Sequence, residues 1–290
     1  MSIHSITKAV AIVNTWKQDA RSIADEIVAQ LSAKGVVCDI YEYDGLSPVK
    51  PIEPYDFAIS LGGDGTVLYA ARCCARRHIP IFPVNLGEFG FIAGVERHAW
   101  KQPLDDFLCG KLNTTERMLL SIRVERGNKT VFSSDALNDA VITGSGMAKI
   151  VCLEILYNTH SFGIYKADGV IVATPTGSTA YSAAAGGPIV APDMSAFVLS
   201  PVCAFSLSNR PIVLSSSGTM RIRVLPMRHK EIMLTVDGQE VFPLEEDDNV
   251  FIDESPCRVR LIGCDMDVFY HALTSKLNWS GNPVSGGAHA

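Results

Sequence analysis

Two hydrophobic periodicities alternate along the first hundred residues of the chain. A continuous apolar run at residues 9–13 and largely apolar segments of strand length at residues 36–41, 57–61 and 79–84 predict four strands. Between them, apolar positions recur at helical spacing from residue 19 to residue 34, ending before Gly35, and again after residue 66. Because apolar strands alternate with helical stripes, the pattern predicts an open parallel sheet covered on both faces, ending in a helix near residues 97–108.

Beyond about Leu119 the pattern changes to short strand-like segments, several of which alternate apolar and polar residues. These segments lie at residues 137–143, 150–157, 169–174, 198–205, 220–225, 231–236, 249–254 and 258–262. Among them only residues 178–186 have a helical pattern, and a last helical pattern covers residues 270–279. We therefore predict a largely β second domain.

These patterns give an α/β plus β fold class. The predicted parts are a Rossmann-like open parallel sheet domain at residues 1–110, a β-rich domain at 111–268, a helix at 269–280 that packs back on the first domain, and a disordered tail at 281–290. We expect the active site in the cleft between the two domains, where ligands usually lie.

Composition narrows the class of protein. With 290 residues and 47% hydrophobic residues the chain can bury a large core, and a net charge of −6 argues against a nucleic-acid or anionic-membrane binder. The first apolar run is too short for a signal peptide, and no stretch approaches the roughly 18 apolar residues of a membrane span. Eight cysteines without a Cys-x-x-Cys pair predict reduced, mostly buried thiols, so we expect a cytoplasmic protein.

A glycine-rich motif, Gly62-Gly63-Asp64-Gly65-Thr66, follows an apolar strand and precedes a helix. Glycines let backbone N–H groups approach a phosphate, and a helix start adds partial positive charge. An acidic residue there has a reason if Asp64 accepts a proton from an attacking hydroxyl or positions a magnesium ion. The spacing is equally compatible with Asp64 as a helix N-cap beside a tight turn. The motif is neither the dinucleotide pattern Gly-x-Gly-x-x-Gly nor a P-loop.

A second constellation runs from Asp168 to Ser182, where an apolar strand leads into a Pro-Thr-Gly turn and a predicted helix near Ser178. Its hydroxyl groups suit a phosphate-bearing ligand, and Tyr181 offers an aromatic surface to a base or ribose. The alternative is a capped helix on a tight turn. So many small polar residues in an otherwise apolar chain favour a binding site.

Six motifs together resemble the NAD kinase family, over about residues 9–279. They are Gly62-Gly-Asp-Gly65, Asn85-Leu-Gly-Glu-Phe-Gly-Phe91, Leu137-Asn-Asp139, Asp168-Gly169 with Thr174-Pro-Thr-Gly-Ser-Thr-Ala-Tyr-Ser182, Leu207-Ser-Asn-Arg-Pro211 and Val236-Asp-Gly-Gln239. The first motif alone also resembles diacylglycerol and sphingosine kinases and, more loosely, phosphofructokinases. The ordered series is specific to NAD kinases.

The resemblance implies a role for each matching residue. Asp64 would activate the 2′-hydroxyl of the adenosine ribose of NAD, Gly62 and Gly63 would approach the donor phosphates, and Gly65 would share the dinucleotide site. The residues implied to line the NAD site are Phe91, Asn138, Asp139, Lys149, Lys166, Asp168, Thr179, Ala180, Tyr181, Ser182, Ala183, Ala184 and Gln239. Taken without the family, Phe91 could be a core residue, the two lysines could be solvated, and residues 138–139 could form only a turn.

The resemblance also implies substrates and partners. NAD would be the acceptor, ATP or polyphosphate the donor, and a divalent ion, Mg²⁺ or Mn²⁺, would arrive with the donor phosphates rather than on fixed protein ligands. A homodimer or homotetramer is expected, because the β domains of relatives build sites across subunits. The family commonly has Ser at position 184 and His at position 205, where this chain has Ala184 and Phe205; we expect Phe205 to be repacked between strands.

Two rival hypotheses stay open on sequence grounds. A lipid kinase of the same superfamily would share the glycine motif but would need a membrane-facing patch. A non-catalytic NAD(H)-binding sensor would keep the pocket, yet it gains nothing from a carboxylate beside phosphates.

Overall fold

The computed structural model describes residues 6–45, 49, 52–87, 90–145, 150–206, 208–227 and 231–277. The α-helices in these ranges are α1 (Ala20–Ala33), α2 (Asp64–Cys74), α3 (Lys101–Leu108), α4 (Tyr181–Ala184) and α5 (Met266–Leu277). The β-strands are β1 (Lys8–Asn14), β2 (Val37–Tyr43), β3 (Phe57–Gly62), β4 (Ile81–Asn85), β5 (Val95–Glu96), β6 (Thr114–Arg126), β7 (Lys129–Ala136), β8 (Asp139–Gly144), β9 (Val151–Tyr157), β10 (His160–Ala167), β11 (Gly169–Ala173), β12 (Ala196–Val202), β13 (Ile212–Ser215), β14 (Met220–Val224), β15 (Ile232–Val236), β16 (Glu240–Leu244) and β17 (Asn249–Ile262). No described helix is long and apolar enough to cross a membrane.

The first part of the chain forms a parallel sheet in the strand order β4-β3-β1-β2. Side chains alternate across β1, so Ala11 and Val13 pack with Ile27 and Leu31 of α1 on one face. On the other face Ile12 packs with the buried side of α2. The expected open parallel sheet with helices on both faces is confirmed.

The second part is a sandwich of antiparallel strands. One layer has the order β13-β12-β11-β8-β15-β16, and the other contains β10-β9-β14-β17, with β6 and β7 beside β17. Their inner faces share one core, to which Ile122, Ile142 and Leu234 each contribute a fully buried side chain. The largely β character predicted for this part is confirmed.

Strand β17 joins the two parts. It pairs antiparallel with β6 along most of its length, and near its end Leu261 pairs with Ile81 of β4 in parallel. The parallel sheet is therefore continuous with one layer of the sandwich. Residues 249–254 and 258–262, which the sequence pattern predicts as two segments, belong to this one strand, and a bulge between Glu254 and Arg258 interrupts their register.

The helix predicted at residues 178–186 is wrong as a single element. A 3₁₀ turn, Thr176–Thr179, and the short α4 stand there instead, separated by Ala180, whose φ of −100° and ψ of −126° are incompatible with a helix. The last helix, α5, begins at Met266 rather than at 270, and α3 begins at Lys101 rather than near 97. Strands β6, β7, β10, β13 and β16 do not appear in the sequence pattern. Residues 278–279 and the predicted tail 281–290 lie outside the described residues.

The shared core of the sandwich yields a stability prediction. Replacing Leu234 by Ala removes a fully buried side chain from between the two layers, so we expect a loss of about 2–5 kcal/mol in the free energy of unfolding, measured by urea denaturation. Val241→Ala is the control on the neighbouring strand, where the side chain is 58% exposed. Equal losses for the two variants would contradict this packing.

Candidate active site

The glycine motif forms the junction between β3 and α2. Gly62 ends the strand, Gly63 occupies the N-cap position without a side-chain hydrogen bond, and Asp64 is the first residue of the helix. A Cβ atom at Gly62 would lie 2.0 Å from Thr66 Oγ1, so only glycine fits this turn. A helix start without a capping side chain leaves room for an anionic ligand.

The Asp64 carboxylate does not cap its own helix; it is bound by the backbone of a neighbouring loop. Oδ2 accepts a hydrogen bond from the Phe91 N–H (3.0 Å), and Oδ1 accepts from the N–H groups of Ile92 (3.3 Å) and Ala93 (3.0 Å). These three bonds occupy three of the roughly four acceptor positions of a carboxylate. The N-cap interpretation of Asp64 is therefore wrong, and Oδ2 keeps capacity to accept one further proton donor.

Gly90 lets this loop approach the carboxylate closely. A Cβ atom at Gly90 would lie 1.9 Å from Asp64 Oδ1, and no rotation of such a short side chain relieves that overlap. The motif that ends at Phe91 thus supplies a backbone donor to Asp64. The close approach is possible because residue 90 is a glycine.

A second carboxylate, that of Asp237, is held in the same way. It lies in the turn between β15 and β16, where its φ is +51°. It accepts hydrogen bonds from the N–H groups of Leu137 (3.0 Å), Asn138 (2.7 Å) and Asp139 (3.2 Å), and its own N–H donates to the Asp139 carbonyl (2.9 Å). These bonds fix the backbone that carries the predicted Asn138-Asp139 pair.

The backbone around Asn138 is also held from the opposite side. Thr174 Oγ1 donates to the Leu137 carbonyl (2.6 Å), and the Thr174 N–H donates to the Asn138 carbonyl (2.8 Å). Gly177 packs so closely against this backbone that a Cβ atom on it would lie 2.1 Å from the Asn138 carbonyl oxygen. In contrast, the side-chain oxygen Oδ1 of Asn138 is buried and has no hydrogen-bond partner among the described residues. A buried acceptor in that state calls for a donor, and a ligand can provide it.

Burial raises the pKa values of two neighbouring acids. Burial first, and then the nearby charge of Asp237, raise the pKa of Asp139 to about 7. Burial also raises the pKa of Asp237 to about 6, although the three amide hydrogen bonds and the charge of Arg72 act in the lowering direction. Paired titratable groups with displaced pKa values are typical of functional sites.

An open depression of about 410 Å³ lies over this pair of acids on the outer face of the antiparallel layer. Asn138, Asp139, Asp237, Ala180 and Tyr181 contribute to its lining. Its volume falls within the range of small-molecule sites, and the side chain of Tyr181 is 45% exposed and available for stacking.

The other residues of the predicted segment 179–184 differ in burial and in the cavity they line. Thr179 lines a small cavity together with Phe91, whereas Ala184 is exposed and Ala183 is partly buried. Ser182 is fully buried, and its hydroxyl group bonds to Ser200 Oγ (2.9 Å). Ser182 thus anchors α4 to β12 and does not line the depression.

Gln239 connects the two halves of the site. Its Nε2 donates to the Gly65 carbonyl (2.6 Å), and its Oε1 accepts a hydrogen bond from Arg72 of α2. Because Gln239 stands two residues after Asp237, this contact brings the glycine motif next to the segment around Asn138. Four predicted features, Asp64, Gly65, Asn138-Asp139 and Gln239, are therefore adjacent in one chain.

Lys166 and Asp168 lie away from this group within the same chain. Both are exposed, and Asp168 precedes the first residue of β11, whereas the last, Ala173, pairs with Asp139. At about 3.3 Å per residue, Asp168 is roughly 17 Å along the strand from Asp139. Lys149 lies outside the described residues.

Phe205 lies at the same end of the sandwich as Lys166. Its N–H donates to the Lys166 carbonyl (2.8 Å), and its side chain is 81% exposed. The expectation that Phe205 packs between strands is wrong, because it stands in the loop that follows β12.

Sequence reasoning did not identify three side chains that hold the parts of this site together. Asp237 belongs to a quoted motif, but only Gln239 of that motif was assigned a role; an acidic residue directly after the apolar run 232–236 was the available signal. Arg72 and Glu240 carried no signal at all, because a charged residue on a helix or strand is usually solvated.

The described part of the chain has no clustered metal-binding side chains and no disulfide bond. It contains no group of three or more His, Cys, Asp or Glu side chains placed to hold a metal ion. The eight cysteines are all free. Cys109 and Cys203 are exposed, and three more cysteines are partly buried. The expectation that most thiols are buried is therefore wrong.

Comparison with family models and with known proteins gives a consistent result. The model described as "ATP-NAD kinase N-terminal domain" matches residues 51–112, and that described as "ATP-NAD kinase C-terminal domain" matches residues 137–264. The NAD kinase of Treponema denticola is 55% identical over 276 residues, covering 95% of this chain and 97% of that protein. The NAD kinase of Treponema pallidum (strain Nichols) is 51% identical over 279 residues, covering 96% and 92%.

Solved structures share the fold. Yeast NADH kinase complexed with NADH superimposes with a TM-score of 0.86 at 22% identity, covering 97% of this chain and 90% of the yeast chain. An NAD kinase from Archaeoglobus fulgidus in complex with ATP gives a TM-score of 0.74 at 21% identity, covering 91% and 96%. At these identities the likeness establishes the architecture.

The raised pKa of Asp139 predicts a pH-dependent stability. The folded protein keeps this proton up to about pH 7, whereas the unfolded chain releases it near pH 3.8. The stability that the protonated carboxyl group contributes to the folded state is therefore fully present below pH 3.8 and is lost as the pH rises through about 7. We expect Asp139→Asn to stabilise the ligand-free protein relative to wild type at pH 8, on the order of a few kcal/mol, with a smaller gain at pH 5.

Urea unfolding at pH 5, 6.5 and 8 measures this difference. Glu246→Gln is the control, because Glu246 is exposed in the turn after β16. A stability difference between wild type and Asp139→Asn that stays constant from pH 5 to pH 8 would show that Asp139 does not hold its proton in the folded state.

Proposed function

This chain belongs to the NAD kinase family, and from that premise we propose that it makes NADP by transferring a phosphoryl group from ATP to the 2′-hydroxyl of the adenosine ribose of NAD. The observation that carries the proposal is the adjacency of the glycine motif with its oriented Asp64 carboxylate to the depression over Asn138 and Asp139. The motif suits a phosphate donor, and the depression suits a nucleoside.

Asp64 is the proposed general base. A ribose hydroxyl is a weak nucleophile at neutral pH, so a correctly placed carboxylate that accepts its proton lowers the barrier. The amides of residues 91–93 orient that carboxylate before substrate binds, and the remaining acceptor position on Oδ2 is the place for the ribose proton.

The donor phosphates are proposed to lie against Gly62, Gly63 and the start of α2, where the backbone can approach them closely and the helix dipole favours negative charge. A divalent ion, Mg²⁺ or Mn²⁺, would enter bound to the donor and neutralise charge on the transferred group. Asp64 is the carboxylate of the motif that would help orient it. Polyphosphate presents the same chemistry to this loop as ATP does.

NAD is proposed to occupy the depression with its adenosine part. Asn138 Oδ1 is the buried acceptor that a ligand N–H or O–H would satisfy, Asp139 would accept from the ribose, and Tyr181 would stack on the ring. Thr179 and Phe91, which line one cavity, would close the site toward Asp64.

The site is proposed to be completed by a second copy of the chain in a homodimer or homotetramer. Lys166, which the family resemblance places in the NAD site, and Asp168, which it places at the nicotinamide side, lie on the surface, and Asp168 is roughly 17 Å along β11 from Asp139 of its own chain. The exposed Phe205 and Ile164 (57% exposed) flank Lys166, and apolar residues so exposed favour a protein contact.

A cytoplasmic location is part of the proposal. Eight free cysteines, two of them exposed, suit a reducing compartment, where disulfides rarely persist. The reaction itself requires ATP and NAD, whose supply is intracellular.

Two other functions remain worth testing. A lipid kinase would phosphorylate diacylglycerol rather than NAD, and an NAD(H)-binding sensor would bind NAD without forming NADP. The assay described below separates all three.

Replacing Asp64 by Asn tests the general base. With ATP, Mg²⁺ and NAD, we expect kcat for NADP formation to fall on the order of 100- to 10,000-fold, while the dissociation constant for NAD stays within about threefold. Asp25→Asn is the control, because Asp25 is an exposed carboxylate on α1. An Asp64→Asn variant with wild-type kcat would remove Asp64 from this role.

The wild-type protein in the same assay decides between the three functions. NADP formation supports the kinase proposal; NAD binding without NADP from either ATP or polyphosphate would support the sensor. Phosphorylation of diacylglycerol without NADP formation would support the lipid kinase.

Mixing two inactive variants tests the shared site. Asp64→Asn and Asp168→Asn are co-denatured and refolded together, or coexpressed. In a dimer whose sites take Asp64 from one copy and Asp168 from the other, each mixed dimer contains one intact site, so about a quarter of wild-type activity should return. No recovery in dimers shown to be mixed would place both residues in the same subunit's site or outside it.

A further inference from the structure

A buried arginine crosses between the glycine-motif helix and the hairpin of β15 and β16. Arg72 stands on α2 about two turns after Asp64, and its side chain is only 5% exposed. A buried guanidinium is costly unless it is paired, so its partners show what it holds in place.

Those partners are Gln239, the last residue of the turn before β16, and Glu240, the first residue of that strand. Arg72 Nη1 lies 2.8 Å from Glu240 Oε1 and forms an ion pair with it. Arg72 Nη2 donates to Gln239 Oε1. Glu240 is itself fixed, because its Oε2 accepts a hydrogen bond from Ser134 Oγ of β7 (2.6 Å).

The same hairpin reaches both halves of the site. Gln239 Nε2 returns to the Gly65 carbonyl, one residue after Asp64. Two residues before Gln239, Asp237 binds the amides of residues 137–139. A single cation thus fixes the hairpin that stands between the phosphate-binding turn and the backbone of Asn138 and Asp139.

We propose that Arg72 is a positioning residue, which sets the alignment of Asp64 and the glycine motif with the Asn138-Asp139 segment without contacting either substrate. The proposal deepens the kinase function above and rests on it. Each half of the site is built locally: Asp64 by the amides of residues 91–93, and Asn138 by Asp237 and Thr174. Removing Arg72 leaves both halves formed but changes their spacing, and phosphoryl transfer is sensitive to shifts on the order of 1 Å.

This role makes a prediction that a purely stabilising ion pair does not. In Arg72→Met, we expect kcat per folded site to fall on the order of 10- to 100-fold, while the dissociation constants for NAD and for ATP, each measured alone by calorimetry, stay within about threefold. Arg72→Lys keeps the charge but cannot bridge Gln239 and Glu240 with a planar guanidinium group, so its kcat should lie between those of wild type and Arg72→Met.

Arg76→Met is the matched control. Arg76 lines an open cleft of about 240 Å³ together with Arg72 and Glu240, but its ion pair and hydrogen bonds are to Asp135 of β7 and its side chain is 70% exposed. Its kcat should equal that of wild type. All variants are compared by thermal melting, and kcat is expressed per folded protein.

The results separate the inference from the function it rests on. If wild type forms NADP and folded Arg72→Met turns over at the wild-type rate, the positioning role is wrong and the kinase function stands. If kcat falls only in proportion to weaker NAD binding, Arg72 shapes the NAD site alone and the inference also fails. If wild type forms no NADP, the proposed function fails first.

A second variant covers the case in which Arg72→Met does not fold. Glu240→Gln keeps the shape of the partner and its bond to Ser134, and removes only the charge opposite Arg72. We expect a smaller fall in kcat, on the order of three- to tenfold, with unchanged NAD binding. A wild-type kcat for a folded Glu240→Gln variant would overturn the proposal.

Discussion

The hydrogen-bonded ladder of β17 is the constraint on which the arrangement of this molecule depends. By pairing with β6 over most of its length and with β4 at its end, β17 makes one sheet out of a parallel half and an antiparallel half. The glycine motif is attached to the parallel half through β3, and the depression over Asn138 and Asp139 to the sandwich through β8 and β15. The main-chain ladder sets their coarse separation, and the hairpin contacts of Arg72 and Gln239 refine it.

One device recurs on both sides of the cleft: a carboxylate bound by three consecutive backbone amides. Asp64 is bound by residues 91–93, and Asp237 by residues 137–139. In the first case the amides orient the acid and leave it an acceptor position for chemistry. In the second the acid orients the amides, and thereby the side chains of Asn138 and Asp139. The same bonds thus orient a side chain in one place and a backbone segment in the other.

The sequence pattern predicted the layers of the fold because most strands of the parallel sheet are largely apolar and the helices packed on it carry apolar stripes. It was less able to find β10, β13 and β16, which are partly exposed and therefore lack a clean periodicity. Motif order led to the glycine turn and to residues 138–139. It could not reveal Arg72 or Glu240, because their importance comes from a contact between residues 168 positions apart, and no local pattern encodes such a contact. The break at Ala180 was hidden for the opposite reason: Ser, Ala and Tyr are acceptable in a helix, and the backbone geometry is imposed by the neighbouring turn.

The pair of acids beneath the depression has a consequence for the design of inhibitors. Asp139 and Asp237 are buried side by side, and burial raises the pKa of both carboxyl groups, so the depression over them is rich in acceptor groups. A compound that places an amine, an amidine or another cationic donor there would relieve the repulsion as it binds. A compound that places a carboxylate or a sulfonyl oxygen there would add to it. Medicinal chemistry at this site should therefore begin from donor-rich scaffolds.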